Sequence, residues 1–143
     1  MAIINYPNAQ STLTLNGYTF QSLAEGEALS LSPVNERTSR TNSIGGGLSV
    51  SNRMDGGVHD LTIVVQKHSA DDKTLNDARN GEEPVLFNGS MKRSYSESGN
   101  SKQSTASLTN GSITTQATNA DNNIESDNSR TYVIQFRDAK ELF

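Results

Sequence analysis

The chain of 143 residues has no cysteine, which excludes a disulfide framework and any thiolate metal site and gives no sign of an oxidising compartment. It has no tryptophan, and aromatics make up only 6% and are scattered, so no stacking platform for sugar rings is encoded. No aliphatic run is longer than Ile63-Val64-Val65, and the opening MAIINYPNAQ has no basic region followed by an apolar stretch. The expectation is a chain neither exported by a standard signal nor inserted in a membrane. Basic excess is missing as well: the net charge is −4, whereas a protein that wraps nucleic acid needs a dominant positive surface. Hydrophobic residues reach only 32%, and adding the 11 glycines still leaves a lean core against the usual ~45–50%. Burial contributed by neighbouring subunits is therefore expected.

What is present reads as one mainly β domain over 1–143, of about seven or eight strands around one short helix. STLTLNGYTF alternates Leu13 and Leu15 with threonines before Asn16-Gly17, a strong two-residue hairpin signal. Leu29 and Leu31 mark a short strand halted by Pro33. The segment that follows is polar, basic at Arg37 and Arg40, and ends in Gly45-Gly46-Gly47, which reads as a long flexible loop at about 33–47 with the glycines as a hinge. The stretch GGGLSVSNRMDGGVHDLTIVVQKHSADDKTLNDA then reads as a hairpin. Leu48 and Val50 alternate with Ser49 and Ser51, Met54-Asp55-Gly56-Gly57 makes the turn, and Leu61, Ile63 and Val65 alternate with Asp60, Thr62 and Gln66. Val64 interrupts the polar face, so the second strand is expected to be covered on both sides near its centre. Ser69 as N-cap, with Asp72 three residues on and Asp71 beside it at the positive end of the dipole, predicts a helix over about 70–80. Gly81 in a left-handed conformation should close it, ahead of Pro84.

Beyond the helix, a strand starts at Val85-Leu86-Phe87 and continues toward Tyr95, with Asn88-Gly89 as a bulge or turn. Ala106 and Leu108, then Asn110-Gly111, then Ile113 and Thr115 read as a third hairpin. Asn119 to Ser129 reads as a loop, TYVIQFR as a strand with Tyr132, Ile134 and Phe136 on one face, and Asp138 to Phe143 as a short exit.

Catalytic and metal chemistry find little footing. His59 and His68 are the only histidines, and along one straight strand they would lie roughly 30 Å apart, so they read as surface residues. Asp121, Asn123, Glu125 and Asp127 alternate as calcium ligands do, but Ser126 and Tyr132 stand where an EF-hand requires Gly and a bidentate Glu. The triple glycine lacks both the Walker and the dinucleotide pattern. Lys92-Arg93 beside Tyr95 reads as a solvated edge that discourages unwanted strand pairing. No cofactor is implied, and no nucleophile, base and orienting group stand at recognisable spacing, so the reading is not an enzyme.

The succession of STLTLNGYTFQSLAEGEALSL, a long polar loop, the Gly-rich turn with its LTIVV strand and Ser69-Ala70-Asp71-Asp72 helix start, and a closing TYVIQFRD resembles the tail tube proteins of bacteriophages with contractile tails. The resemblance implies a small tail-tube-like β-sandwich or barrel with one short helix, assembling into hexameric rings whose inner hairpins merge into a shared barrel of about 24 strands, wide enough for an aqueous channel. It implies rings stacked into a conduit for DNA that passes without specific binding, with tail sheath, tape measure, baseplate and tail terminator proteins as partners. The location implied is the virion, after assembly in the bacterial cytoplasm. Ser49, Ser51, Asp60, Thr62 and Gln66 are expected to face the lumen, with Leu48, Val50, Leu61, Ile63 and Val65 packed outward. Arg37, Arg40, Arg53 and Asp55 are expected at contacts between rings or subunits, the loop becoming ordered there. A tube protein of a related contractile secretion system and a monomeric β-sandwich binding module are the alternatives.

Overall fold

The computed structural model describes residues 2–6, 11–121, 123–124 and 128–143. In chain order the strands are β1 (Ile4–Asn5), β2 (Thr12–Leu15), β3 (Tyr18–Thr19), β4 (Leu29–Pro33), β5 (Thr38–Asn42), β6 (Leu48–Asn52) and β7 (His59–Gln66). After the helix α1 (Ala70–Asn80) come β8 (Phe87–Glu97), β9 (Asn100–Thr115) and β10 (Ser129–Leu142). The fold is mainly β with antiparallel pairing throughout, as expected. It divides into a large sheet in the order β3-β2-β8-β9-β10-β7-β4, with β1 added beside β8, and a separate two-stranded sheet of β5 and β6.

The core follows from the period of two. Leu13 and Leu15 of β2, Leu61, Ile63 and Val65 of β7, and Tyr132, Ile134 and Phe136 of β10 are all buried. The opposite face carries Asp60 and Thr62 beside Gln135 and Val133, and Ser112 beside Gln135. Val64, on this face, is half-buried. The segment after β3 reaches both flanks of the sheet. Phe20 N–H donates to the Leu13 carbonyl at 2.9 Å, while Ala24 N–H donates to Val64 and Gln66 N–H to Ser22, each at 3.0 Å.

The helix has the predicted bounds. Ser69 caps it, its hydroxyl accepting from Asp72 N–H at 3.3 Å, and Leu75 enters the core from its inner face. Its C-terminal end departs from the expectation: Gly81 is extended, with φ −63° and ψ 149°, because the chain turns directly toward Pro84.

Four other expectations are corrected. Leu48–Asn52 does not pair with the LTIVV strand but folds back on Thr38–Asn42, so the supposed loop is half of a hairpin whose turn is Ser43–Gly47. Gly46, at φ +87°, makes that turn possible. Asn110-Gly111 is not a hairpin turn, since β9 runs through it with β8 on one side and β10 on the other. Gly111 is required there because a β-carbon would fall 2.8 Å from Ile134 Cγ2 and clash with the Cδ1–Cε1 edge of the Phe136 ring. The turn that does join β8 to β9 is Ser98-Gly99, at φ +50° and +86°. Finally, the supposed exit after Asp138 continues β10 to Leu142, and ten strands replace the expected seven or eight among the described residues.

Asn16-Gly17 is a turn with both residues at positive φ, as predicted. The three sheet Asn-Gly pairs share one network: Asn16 Oδ1 accepts from Asn88 N–H, and Asn88 Oδ1 accepts from Asn110 N–H, both at 2.9 Å. The Asn16 and Asn88 side chains thus satisfy backbone N–H groups beside the bulge.

Candidate assembly surface

The β5–β6 hairpin stands apart as an arm. Every residue from Ser39 to Met54 is exposed, and no part of the buried cluster comes from it. Cross-strand pairing sorts its residues. Arg40 opposes Val50 and Asn42 opposes Leu48, so Arg40, Leu48 and Val50 share one face, while Ser39, Thr41, Ser49 and Ser51 occupy the other. Leu48 and Val50 are 54% and 53% exposed, and Ile44 at the tip and Met54 at the base are almost wholly so. A lone two-stranded hairpin is marginal in water, so this apolar face is an unmet demand for cover.

The arm is fixed at its base. Arg53 N–H donates to the Arg37 carbonyl at 2.9 Å, and Val34 N–H donates to Val58 at 3.0 Å. Asn35 Nδ2 reaches the Asp55 carbonyl, and Arg137 reaches the Met54 carbonyl at 3.1 Å. The Arg53 guanidinium grips Asp55 with two bonds of 3.0 and 3.1 Å. Those bonds hold the Asp55 carboxyl below its ordinary range and push Arg53 further up. Two of the four expected contact residues therefore answer each other within one chain. Arg37 packs its backbone against Gly56, and Arg40 stands out on the arm.

The expected lumen residues do not form one surface. Asp60, Thr62 and Gln66 share a face of β7, where Gln135 donates to Asp60 at 3.0 Å. Ser49 and Ser51 sit on the arm, and Leu48 and Val50 are exposed rather than packed outward, because β6 is not the neighbour of β7. Leu61, Ile63 and Val65 are fully buried as expected.

The most tightly built polar centre is formed by the two aspartates at the helix start, expected from the sequence as a capping partner and as charge at the dipole's positive end. Asp71 and Asp72 are 0% and 3% exposed. Asp71 accepts from the Tyr18 hydroxyl at 2.6 Å and from Gln21 and Ser22 N–H, which pins the segment after β3 to the helix start. Asp72 accepts from the Tyr132 hydroxyl at 2.7 Å, from Arg130 at 3.2 Å and from His68 N–H at 3.0 Å. The Asp72 carboxylate thus reaches the backbone N–H before the N-cap rather than that of the cap itself. Burial would push the Asp72 carboxyl up, but the Tyr132 hydroxyl, the His68 N–H and Arg130 together outweigh it and hold it below the ordinary value. Burial first, and then Asp72, push the Tyr132 hydroxyl up to about 12. Hydrogen bonding to Asp71 likewise raises Tyr18. Every ligand position on these carboxylates is taken by the protein itself, so the centre is a clasp joining β3, β10 and α1.

His59 and His68 lie at opposite ends of β7, and His59 Nδ1 is 2.8 Å from the Gly57 carbonyl. Of the calcium-like residues, Asp121 pairs with Lys67, while Glu125 and Asp127 lie outside the described residues. Among the described residues no three His, Asp or Glu side chains cluster to hold a metal, and no helix is long and apolar enough to cross a membrane. No protein-family model matches this chain, and a comparison with curated proteins finds no match.

Proposed function

We propose that this protein is the structural subunit of a phage tail tube, forming hexameric rings that stack into a hollow conduit for DNA inside a contractile sheath. The observation that carries the reading is the arm: a hairpin exposed on both faces, apolar on one, rigidly anchored at its base and without a core of its own. Such an element gains its burial only from another molecule, and a lean overall composition fits a fold completed by neighbours. The broad Ser, Thr and Gln face of the sheet supports a second part of the reading. Asp60, Thr62, Gln135 and Ser112, all half-buried, offer a neutral-to-acidic polar wall past which phosphates slide without binding. Ring closure would also cover the open edge at β4, which Pro33 already blunts. Tail sheath, tape measure, baseplate and terminator proteins are the partners of this role, and the virion is its location. Light scattering and sedimentation across a concentration series test it: growth from single chains to discrete rings and longer polymers is expected. A single chain at every concentration, with the arm intact, would sink it.

A further inference from the structure

Resting on the stacking reading above, we infer that the arm of one copy docks into the cleft at the C-terminal end of α1 on a second copy. That cleft has a volume of about 230 Å³ and is lined by the apolar Pro84, Val85, Phe87 and Ile113 together with Glu82, Glu83 and Arg79. Val85 and Leu86 beside it are 37% and 56% exposed, a second uncovered apolar surface to match that of the arm.

Charge selects the pairing. Arg40 is the only charged residue from Thr38 to Asn52, and it stands on the same face as Leu48 and Val50. The receiving segment from Asp77 to Glu83 has three carboxylates against the single Arg79, and the negative end of the α1 dipole emerges at the same place. Apolar residues with one cation thus meet apolar residues with an excess of carboxylates.

The arm and the cleft are different surfaces of the chain, which makes a contact between them head to tail. Phe136 pairs with Gly111 across the sheet. From that row β10 runs on toward Leu142, beside the base of the arm at Arg137 and Asp138, whereas Phe87, paired with Gly111, and Ser112 and Ile113 of β9 line the cleft. Two distinct patches give a heterologous contact that leaves a free arm and a free cleft at every step, the requirement for an open polymer.

The absence of cysteine makes the test clean. Ile44→Cys in one preparation and Val85→Cys in another are mixed and mildly oxidised, and cross-linked dimers are quantified on a gel. The inference expects the mixed pair to cross-link at least several-fold more than Ile44→Cys mixed with Thr109→Cys. Adding Arg40→Glu to the arm partner should remove that excess, and adding Glu82→Arg and Glu83→Arg to the cleft partner should restore it. Cross-linking no higher than the control pair, or an excess indifferent to Arg40→Glu, would overturn the inference. Rings or tubes from the unmodified protein without the specific cross-link would refute this contact while leaving the tube reading standing. The cross-link without rings would do the reverse.

Discussion

Replacing Asp72 with alanine strands a buried guanidinium. In the folded chain the Arg130 side chain is only 9% exposed, with its Nη1 3.2 Å from Asp72 Oδ1, and the Tyr132 hydroxyl and His68 N–H converge on the same carboxylate. Removing one partner of a buried pair costs about 3–5 kcal/mol, because the remaining charge stays desolvated without compensation. The unsatisfied Tyr132 hydroxyl belongs to the same loss and is not added again. Set against a typical domain stability of ~5–15 kcal/mol, Asp72→Ala should remove a large share of the total. With a urea slope of about 1–3 kcal/mol per molar, the midpoint by far-ultraviolet circular dichroism should fall by roughly 2 M. Asp72→Asn keeps an acceptor for Tyr132 but not the charge, and should fall between the two. A loss below about 1 kcal/mol for the alanine variant would refute the clasp.

The same centre sets the pH limits of the fold. Asp72 titrates below its unfolded value, so its stabilisation is complete above the ordinary carboxylate range near 4 and is lost as pH falls through the lower folded value. Tyr132 titrates above its unfolded value near 10, so its contribution is complete below that pH and is lost as pH rises toward about 12; Tyr132→Phe should abolish this alkaline step in a circular-dichroism titration. Leu75→Ala should cost about 2–5 kcal/mol by urea unfolding, since Leu75 is the helix's one buried hydrophobic side chain and its removal leaves a cavity. Gly111→Ala should cost about 1–3 kcal/mol because its methyl group overlaps Phe136, and Phe136→Leu on top should recover part of that loss.

Where the sequence was legible, two independent signals coincided. The helix had a cap, a capping partner and a Pro stop, and its bounds are as read; β7 and the first half of β10 alternate apart from Val64 and Val133, and the apolar residues of the alternating set are the core. The arm was missed because TSRTN offers no apolar residue to reveal a period of two, so the triple glycine looked like a hinge instead of a hairpin turn. Asn110-Gly111 misled for a different reason. An Asn-Gly pair fits a turn and a bulge equally well, and only the ring of Phe136, 25 residues away, decides between them. Ser98-Gly99 was the available clue to the real turn. The clasp was half-visible as two acidic residues at a helix start, but their Tyr and Arg partners lie about fifty to sixty residues distant, beyond any local pattern.

Negative-stain electron microscopy of the purified protein, taken to high concentration, tests the central claim most directly. The account predicts hollow rings with sixfold end views and tubes built by stacking them. Uniform single particles the size of one chain, or filaments without a channel, would contradict it.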